Sequence, residues 1–231
     1  MDQPSPLRTP PAAGPRRWDL VIFDCDGVLV DSEVLSLDCL GAHLARIGWT
    51  IDAAEIAERF LGRSFATVAE DYRDATGRAL PDDFAATFHA ALRERFEAAL
   101  LPIADIDAVL AGLAVPFCLA SSSAPERIRL SLRLTGLDRR FEGRIFDASM
   151  VRRGKPFPDL FLHAAKAMAT PPARCLVIED SPSGIAAAKA AGMTAWGFVG
   201  GSHHARFDGA ASLEGAGADH ILHRMIDFPP L

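Results

Sequence analysis

Leu20-Val21-Ile22-Phe23-Asp24-Cys25-Asp26-Gly27 is the stretch from which the rest of the chain can be read. Four consecutive apolar residues, rich in β-formers, predict a strand buried on both faces, the kind found in parallel sheets. Two acids follow where the strand should end, one residue apart, and then a glycine able to take backbone angles closed to other residues. Carboxylates so close repel each other unless a cation lies between them or one holds a proton. Either case is chemistry rather than packing.

Further strands are predicted downstream. Phe117-Cys118-Leu119-Ala120 runs into Ser121-Ser122-Ser123, and Arg144-Ile145-Phe146 ends in Asp147. Cys175-Leu176-Val177-Ile178 ends in Glu179-Asp180-Ser181, and Ala195 to Val199 ends in Gly200-Gly201. His220-Ile221-Leu222 adds a last short strand. Helical stretches such as Ala164–Met168 and Ile185–Ala191 lie between them, so the fold class is α/β: a Rossmann-like parallel sheet with helices on both faces. In such sheets the ligand sits outside the carboxyl ends of the strands. Asp24 and Asp26, Ser121, and Glu179 and Asp180 are therefore expected to meet in one cleft.

Between Glu33 and Ala99 the pattern is helical, with Leu37, Leu40, Leu44 and Ile47 and then Phe84, Phe88, Leu92 and Phe96 at three-to-four spacing. The predicted organisation is a tail over 1–17, an α/β core over 18–32 and 100–231, and a small inserted α-helical domain over 33–99. The tail has five prolines between Asp2 and Arg17 and no apolar h-region, so it reads as disordered rather than as a secretory signal.

A net charge of -6 with no basic cluster argues against a nucleic-acid partner. No apolar run is long enough for a membrane span. Cys25, Cys39, Cys118 and Cys175 lack metal-finger or CxxC spacing and read as free thiols, which implies a reducing, cytoplasmic home. Cys25 lies between two acids that would raise its pKa, making it a poor nucleophile.

At the expected convergence, Asp24 and Asp180, helped by Glu179, offer hard oxygen ligands suited to Mg2+. Ser181-Pro182 reads as an N-cap with proline at N1, which leaves those acids free. Ser123-Ala124-Pro125-Glu126 fits a capping box, leaving Ser121 for an anion such as phosphate. Lys155, in Gly154-Lys155-Pro156-Phe157-Pro158-Asp159, stands in a backbone fixed by two prolines and is the best source of compensating positive charge.

Asp24-Cys25-Asp26-Gly27-Val28-Leu29-Val30-Asp31-Ser32-Glu33, Ser121, Gly154-Lys155-Pro156 and Glu179-Asp180-Ser181-Pro182-Ser183-Gly184 resemble, in order and spacing, the four motifs of the haloacid-dehalogenase-like hydrolase superfamily. The helical insert resembles the cap domain of the subfamily containing β-phosphoglucomutase, phosphoglycolate phosphatase and 6-phosphogluconate phosphatase. The resemblance implies a Mg2+-dependent phosphatase for a small phosphorylated metabolite, a sugar, sugar-acid or polyol monophosphate. Asp24 would be the nucleophile that forms an aspartyl-phosphate, and Asp26 the acid and base. Asp26 would also offer its backbone carbonyl to the metal held by Asp24, Asp180 and Glu179. Ser121 and Lys155 would hold the phosphoryl group.

Arg59-Phe60-Leu61-Gly62-Arg63-Ser64 resembles the substrate-facing loop of these caps. That makes Gly62, Arg63, Ser64 and, on the core side, Ser122 the expected substrate contacts, although Arg63 reads equally well as a solvated arginine at a helix junction. Ser36 stands where the mutases of this subfamily carry a histidine, which favours hydrolysis over isomerisation. A β-phosphoglucomutase-like isomerase and a catalytically idle binding member remain the alternatives. A haloacid dehalogenase is disfavoured by Asp26. His203-His204 in a glycine-rich loop reads as exposed. The expected assembly is a monomer or weak homodimer.

Overall fold

The computed structural model describes residues 18–62, 65–206 and 208–229, so the tail, Arg63 and Ser64 lie outside the described residues. Leu20–Phe23 forms β1, with all four side chains buried as a two-faced apolar strand requires. Four helices follow before the chain returns to the sheet: α1 (Glu33–Arg46), α2 (Ala53–Phe60), α3 (Phe65–Thr76) and α4 (Phe84–Ala99). Then come α5 (Ile106–Gly112), β2 (Phe117–Ser121), α6 (Pro125–Leu134), β3 (Ile145–Asp147) and α7 (Asp159–Ala167). The chain ends through β4 (Cys175–Glu179), α8 (Pro182–Ala190), β5 (Thr194–Phe198), α9 (Gly209–Gly215) and β6 (His220–Leu222). The predicted strands agree with these to within two residues at either end.

All six strands are parallel, in the order β3-β2-β1-β4-β5-β6. Strand residues alternate between faces. Val21, Phe23, Leu119, Leu176 and Ile178 meet Ile106 and Leu110 of α5 and Ile128 and Leu132 of α6. Leu20, Ile22, Cys118 and Val177 meet Leu160 and Ala164 of α7, Ile185 and Ala188 of α8, and Leu213 of α9. The helices therefore cover both faces, as a parallel sheet demands.

The strand order reverses about β1, which lies between β2 and β4. Chain connections leave that point in opposite directions and open a crevice at the carboxyl ends, where ligands bind in sheets of this kind. The helices α1 to α4 stand beside it. Their interior (Leu37, Leu44, Tyr72, Phe84, Phe88 and Phe96) is continuous with the apolar layer on the α5/α6 face of the sheet. The chain enters and leaves these helices by adjacent segments: Asp31 N–H donates to Leu101 O at 2.9 Å, and Ile103 N–H donates to Leu29 O at 3.0 Å. Trp18, the first described residue, packs edge-on against Trp196 of β5 with ring centroids 5.3 Å apart.

Candidate active site

The two central strands carry the acids to one place. Phe23 is in register with Ile178, and Asp24 N–H donates to Ile178 O at 3.0 Å, so Asp24 emerges beside Glu179 and Asp180. All three are buried, with Asp26. Gly27 makes the approach possible. Its φ is +74°, and a Cβ there would fall 1.8 Å from Asp180 Oδ2.

Lys155 reaches into this cluster from the loop after β3. Its Nζ donates to Asp24 Oδ1 at 2.5 Å, Glu179 Oε1 at 2.7 Å and Ala120 O at 3.1 Å. Burial disfavours the charged ammonium, but Asp24 and Glu179 outweigh that and raise its pKa. Glu179 is fully engaged. Its Oε2 accepts from both the N–H and the hydroxyl of Ser181, at 2.8 and 2.9 Å. Ser181 in turn caps α8, accepting from Gly184 N–H at 3.1 Å with Pro182 at N1, as the sequence predicts. Glu179, expected to ligate metal, thus spends both oxygens on bracing Lys155 and the start of α8.

Asp24 and Asp180 behave differently. Burial pushes both carboxyls well above the ordinary range. For Asp24, Lys155 pulls down while Glu179 and Asp180 push further up; for Asp180, Glu179 adds to the rise and Lys155 opposes it. Ionised together, Asp24, Glu179 and Asp180 would carry more negative charge than one lysine balances. Oxygen donors of this kind, short of positive charge and already converging, fit a hard divalent cation such as Mg2+.

Asp26 sits in a strap of its own. Its Oδ1 accepts from the Ser32 hydroxyl at 2.6 Å and from Arg127 Nη2 at 2.8 Å, and its Oδ2 accepts from the Ser123 hydroxyl at 2.5 Å. Burial raises its pKa, but the Arg127 guanidinium and the two hydroxyls outweigh that and leave it lowered and ionised. The capping-box expectation for Ser123 is therefore corrected. The N-cap of α6 is Ala124, without a side-chain cap, because the Ser123 hydroxyl is drawn to the Asp26 carboxylate. Ser121 Oγ accepts the Ser123 N–H at 3.0 Å and faces the cleft.

The cleft above these groups measures about 210 Å3. Ser121, Ser122, Lys155 and Gly62 all line it; Arg63 and Ser64 fall outside the described residues. Its remaining wall is apolar from Leu37, Leu40, Phe60, Phe65 and Phe88, and polar from Glu33, Ser36, His89, Arg127 and Ser183.

Three groups at the site escape the sequence reading. Arg127 lies in the first turn of α6, where the helix dipole disfavours a cation, and that misfit is the signal that could have found it. It also donates to Ser36 Oγ at 3.1 Å and lies over the Phe96 ring, so the position of the mutase histidine is filled by a serine already in use. Glu33 is pushed up to about 7, mainly by burial and then by Asp26, with Arg127 opposing. His203, read as exposed, is fully buried with its Nε2 3.1 Å from Asp180 Oδ2, and His204 beside it is only partly exposed. Burial holds the His203 imidazole below its ordinary pKa, so it is neutral. Asp147, at the end of β3, forms a turn by accepting from Ser149 N–H at 2.9 Å and takes no part in the cluster.

The sequence pattern of a hydrolase family described as haloacid dehalogenase-like hydrolase matches residues 18–192, which include every one of these clustered side chains except His203. The chain belongs to this family. It is 29% identical over 189 residues to a 6-phosphogluconate phosphatase of Escherichia coli K12, a match covering 81% of this chain and 86% of that protein. Two solved structures are similar to this haloacid dehalogenase-like hydrolase over most of its length. A conserved family member of unknown function from Agrobacterium tumefaciens has a TM-score of 0.82 and 35% identity, covering 91% of this chain and 95% of that one. A family hydrolase from Deinococcus radiodurans, with bound phosphate and sodium, has a TM-score of 0.76 and 36% identity, covering 92% and 94%.

Proposed function

We propose that this hydrolase is a Mg2+-dependent phosphatase that cleaves small phosphorylated metabolites (sugar, sugar-acid or polyol monophosphates) through an aspartyl-phosphate on Asp24. The observation that carries the reading is the Asp24–Lys155–Glu179 arrangement with Asp180 alongside: a buried carboxylate whose lysine partner is fixed by a second acid. The relatives' names support the substrate class, since they include phosphatases for 6-phosphogluconate, glycerol 3-phosphate and pseudouridine 5'-phosphate.

Asp24, Asp180 and the Asp26 carbonyl would hold Mg2+, with Glu179 supporting them through Lys155. The cation would supply charge to offset the phosphate oxygens. Asp24 attacks phosphorus and the ester oxygen leaves. Water then attacks the phosphorus of the aspartyl-phosphate, regenerating Asp24 and releasing phosphate. Lys155 and Ser121 hold the phosphoryl oxygens as charge shifts, so the protein contributes mainly positioning and electrostatics. Asp26, ionised in its strap, is ready to accept the proton of the attacking water. To protonate the leaving alkoxide it must first hold a proton, which requires loosening the grip of Arg127. The helices α1 to α4 would act as a cap domain over residues 33–99, and their apolar wall would receive the leaving group.

The test is phosphate release from a panel of sugar, sugar-acid and polyol phosphates with Mg2+, in the wild type and in Asp24→Asn. Turnover should vanish in Asp24→Asn with the melting temperature preserved, and EDTA should stop the wild type until Mg2+ is restored. Full activity in Asp24→Asn would end the reading.

A further inference from the structure

We propose that Arg127 selects the leaving group, its guanidinium donating to a hydroxyl on the carbon next to the ester carbon. The inference rests on the phosphatase reading above and narrows its substrates to esters that are hydroxylated at that carbon.

Arg127 stands in the first turn of α6, where the helix dipole disfavours a cation, yet it lines the cleft with its side chain 26% exposed. One nitrogen makes all of its hydrogen bonds. Nη2 donates to Asp26 Oδ1 at 2.8 Å and to Ser36 Oγ at 3.1 Å. Nε is buried without a hydrogen-bond partner, and Nη1 has none among the described residues. Asp26 does not need the whole fork, because the Ser32 and Ser123 hydroxyls already donate to it at 2.6 and 2.5 Å. The guanidinium is still held in place, lying over the Phe96 ring with Cζ 5.2 Å from the centroid. A planar fork, fixed in position with donors to spare, is suited to recognising a ligand oxygen.

The position of that oxygen follows from Asp26. In the reaction proposed above Asp26 serves the ester oxygen, so the alcohol half of the substrate comes up beside it. Nη1 is the next nitrogen of the fork whose Nη2 already touches Asp26. An oxygen accepting from Nη1 therefore lies about as far from the ester oxygen as two oxygens on adjacent carbons do.

The surrounding charges decide between a hydroxyl and a carboxylate. Asp26 and Glu33 both act on the guanidinium, so its positive charge is already matched. A substrate carboxylate at this point would meet two acids and one cation. A hydroxyl would find a donor in Arg127 and an acceptor in Glu33, which lines the same cleft. A few such polar groups beside apolar side chains are what orient a small ligand.

The experiment compares kcat/KM for sn-glycerol 3-phosphate and 3-hydroxypropyl phosphate, which differ only in the hydroxyl next to the ester carbon. Both are measured with Mg2+ on the purified full chain, in wild type, Arg127→Met and Arg127→Lys. The wild type should favour the glycerol ester roughly 10–100-fold, the worth of a hydrogen bond from a charged donor. Losing the hold on Asp26 slows both esters alike, so the readout is their ratio, which should fall to within about threefold in both variants. Lysine keeps a charge beside Asp26 but has no second nitrogen. It thus separates selection from support of Asp26, and it stands alone should Arg127→Met not fold. A wild type without preference overturns the proposal, as does a wild-type ratio in Arg127→Lys. Better turnover of 2-phosphoglycolate, with a carboxylate on that carbon, than of the glycerol ester also overturns it. Phosphate release from p-nitrophenyl phosphate alone overturns the selection only, whereas release from none of these esters sinks the phosphatase reading itself.

Discussion

Lys155 and Glu33 show how charge is distributed at the level of single side chains. Lys155 lies between two buried acids, and breaking such a set by removing one partner costs about 3–5 kcal/mol because charge is left uncompensated. Lys155→Met should therefore lose that much stability in urea melts without metal, and less with Mg2+ present. A loss independent of Mg2+ would show that lysine and cation do not share the same charges. Glu33 presents the opposite situation. Its folded pKa is raised from 4.5 to about 7, so the folded protein binds its proton more tightly than the unfolded chain does. Glu33 is then harmless below its unfolded pKa, becomes destabilising as pH rises from 4.5 towards 7, and keeps its full cost above that. Glu33→Gln should leave stability unchanged at pH 4 and raise it by about 1–3 kcal/mol at pH 8, less than the whole shift because the cleft admits water. Equal effects at both pH values would remove Glu33 from the charge balance.

The same scale shows what a sequence can and cannot disclose. Asp24, Asp26, Lys155 and Asp180 stand at strand ends or in a proline-fixed loop, and period and punctuation place them without any contact information. Arg127, Glu33 and His203 do not. Each sits on an ordinary-looking helix or loop, and its importance comes only from what lies opposite in space. Ser123 went astray for a related reason: a capping box is a local preference, and the Asp26 carboxylate from another strand competed for the same hydroxyl.

Among the elements, α8 ties architecture to chemistry. Ser181 both caps it and holds Glu179, so Ser181→Ala should lower stability by about 1–2 kcal/mol, the cost of a lost N-cap and a loosened carboxylate. It should also weaken catalysis, since Glu179 would no longer be held from behind; Ser181→Thr should restore both. A variant that loses stability with unchanged turnover would confine Ser181 to capping. The strands were legible because each is a short apolar run ending in polar residues. The order in which they pair was not, because β1 neighbours β2 and β4 through contacts distant in sequence.

For the molecule as a whole, the shared interior is the main consequence. Phe88 of α4 belongs to the same apolar layer as Phe23 of β1 and Leu119 of β2. Phe88→Ala should cost about 3–5 kcal/mol and shift one cooperative unfolding transition rather than split off a separate one. Two resolved transitions in calorimetry would mean that the four helices fold independently of the sheet.

The adjoining segments at Asp31 and Leu101 carry a further implication for how such a protein can change over generations. The departure and return points of the four helices are a single hydrogen bond apart, so everything between them is an excursion that begins and ends at one address. Recombination could exchange that excursion for another of different length or wall chemistry without altering the spacing of β1 and α5. The acids at the strand ends would then be inherited intact, while the surface that judges the alcohol half of the ester would be replaced in one step.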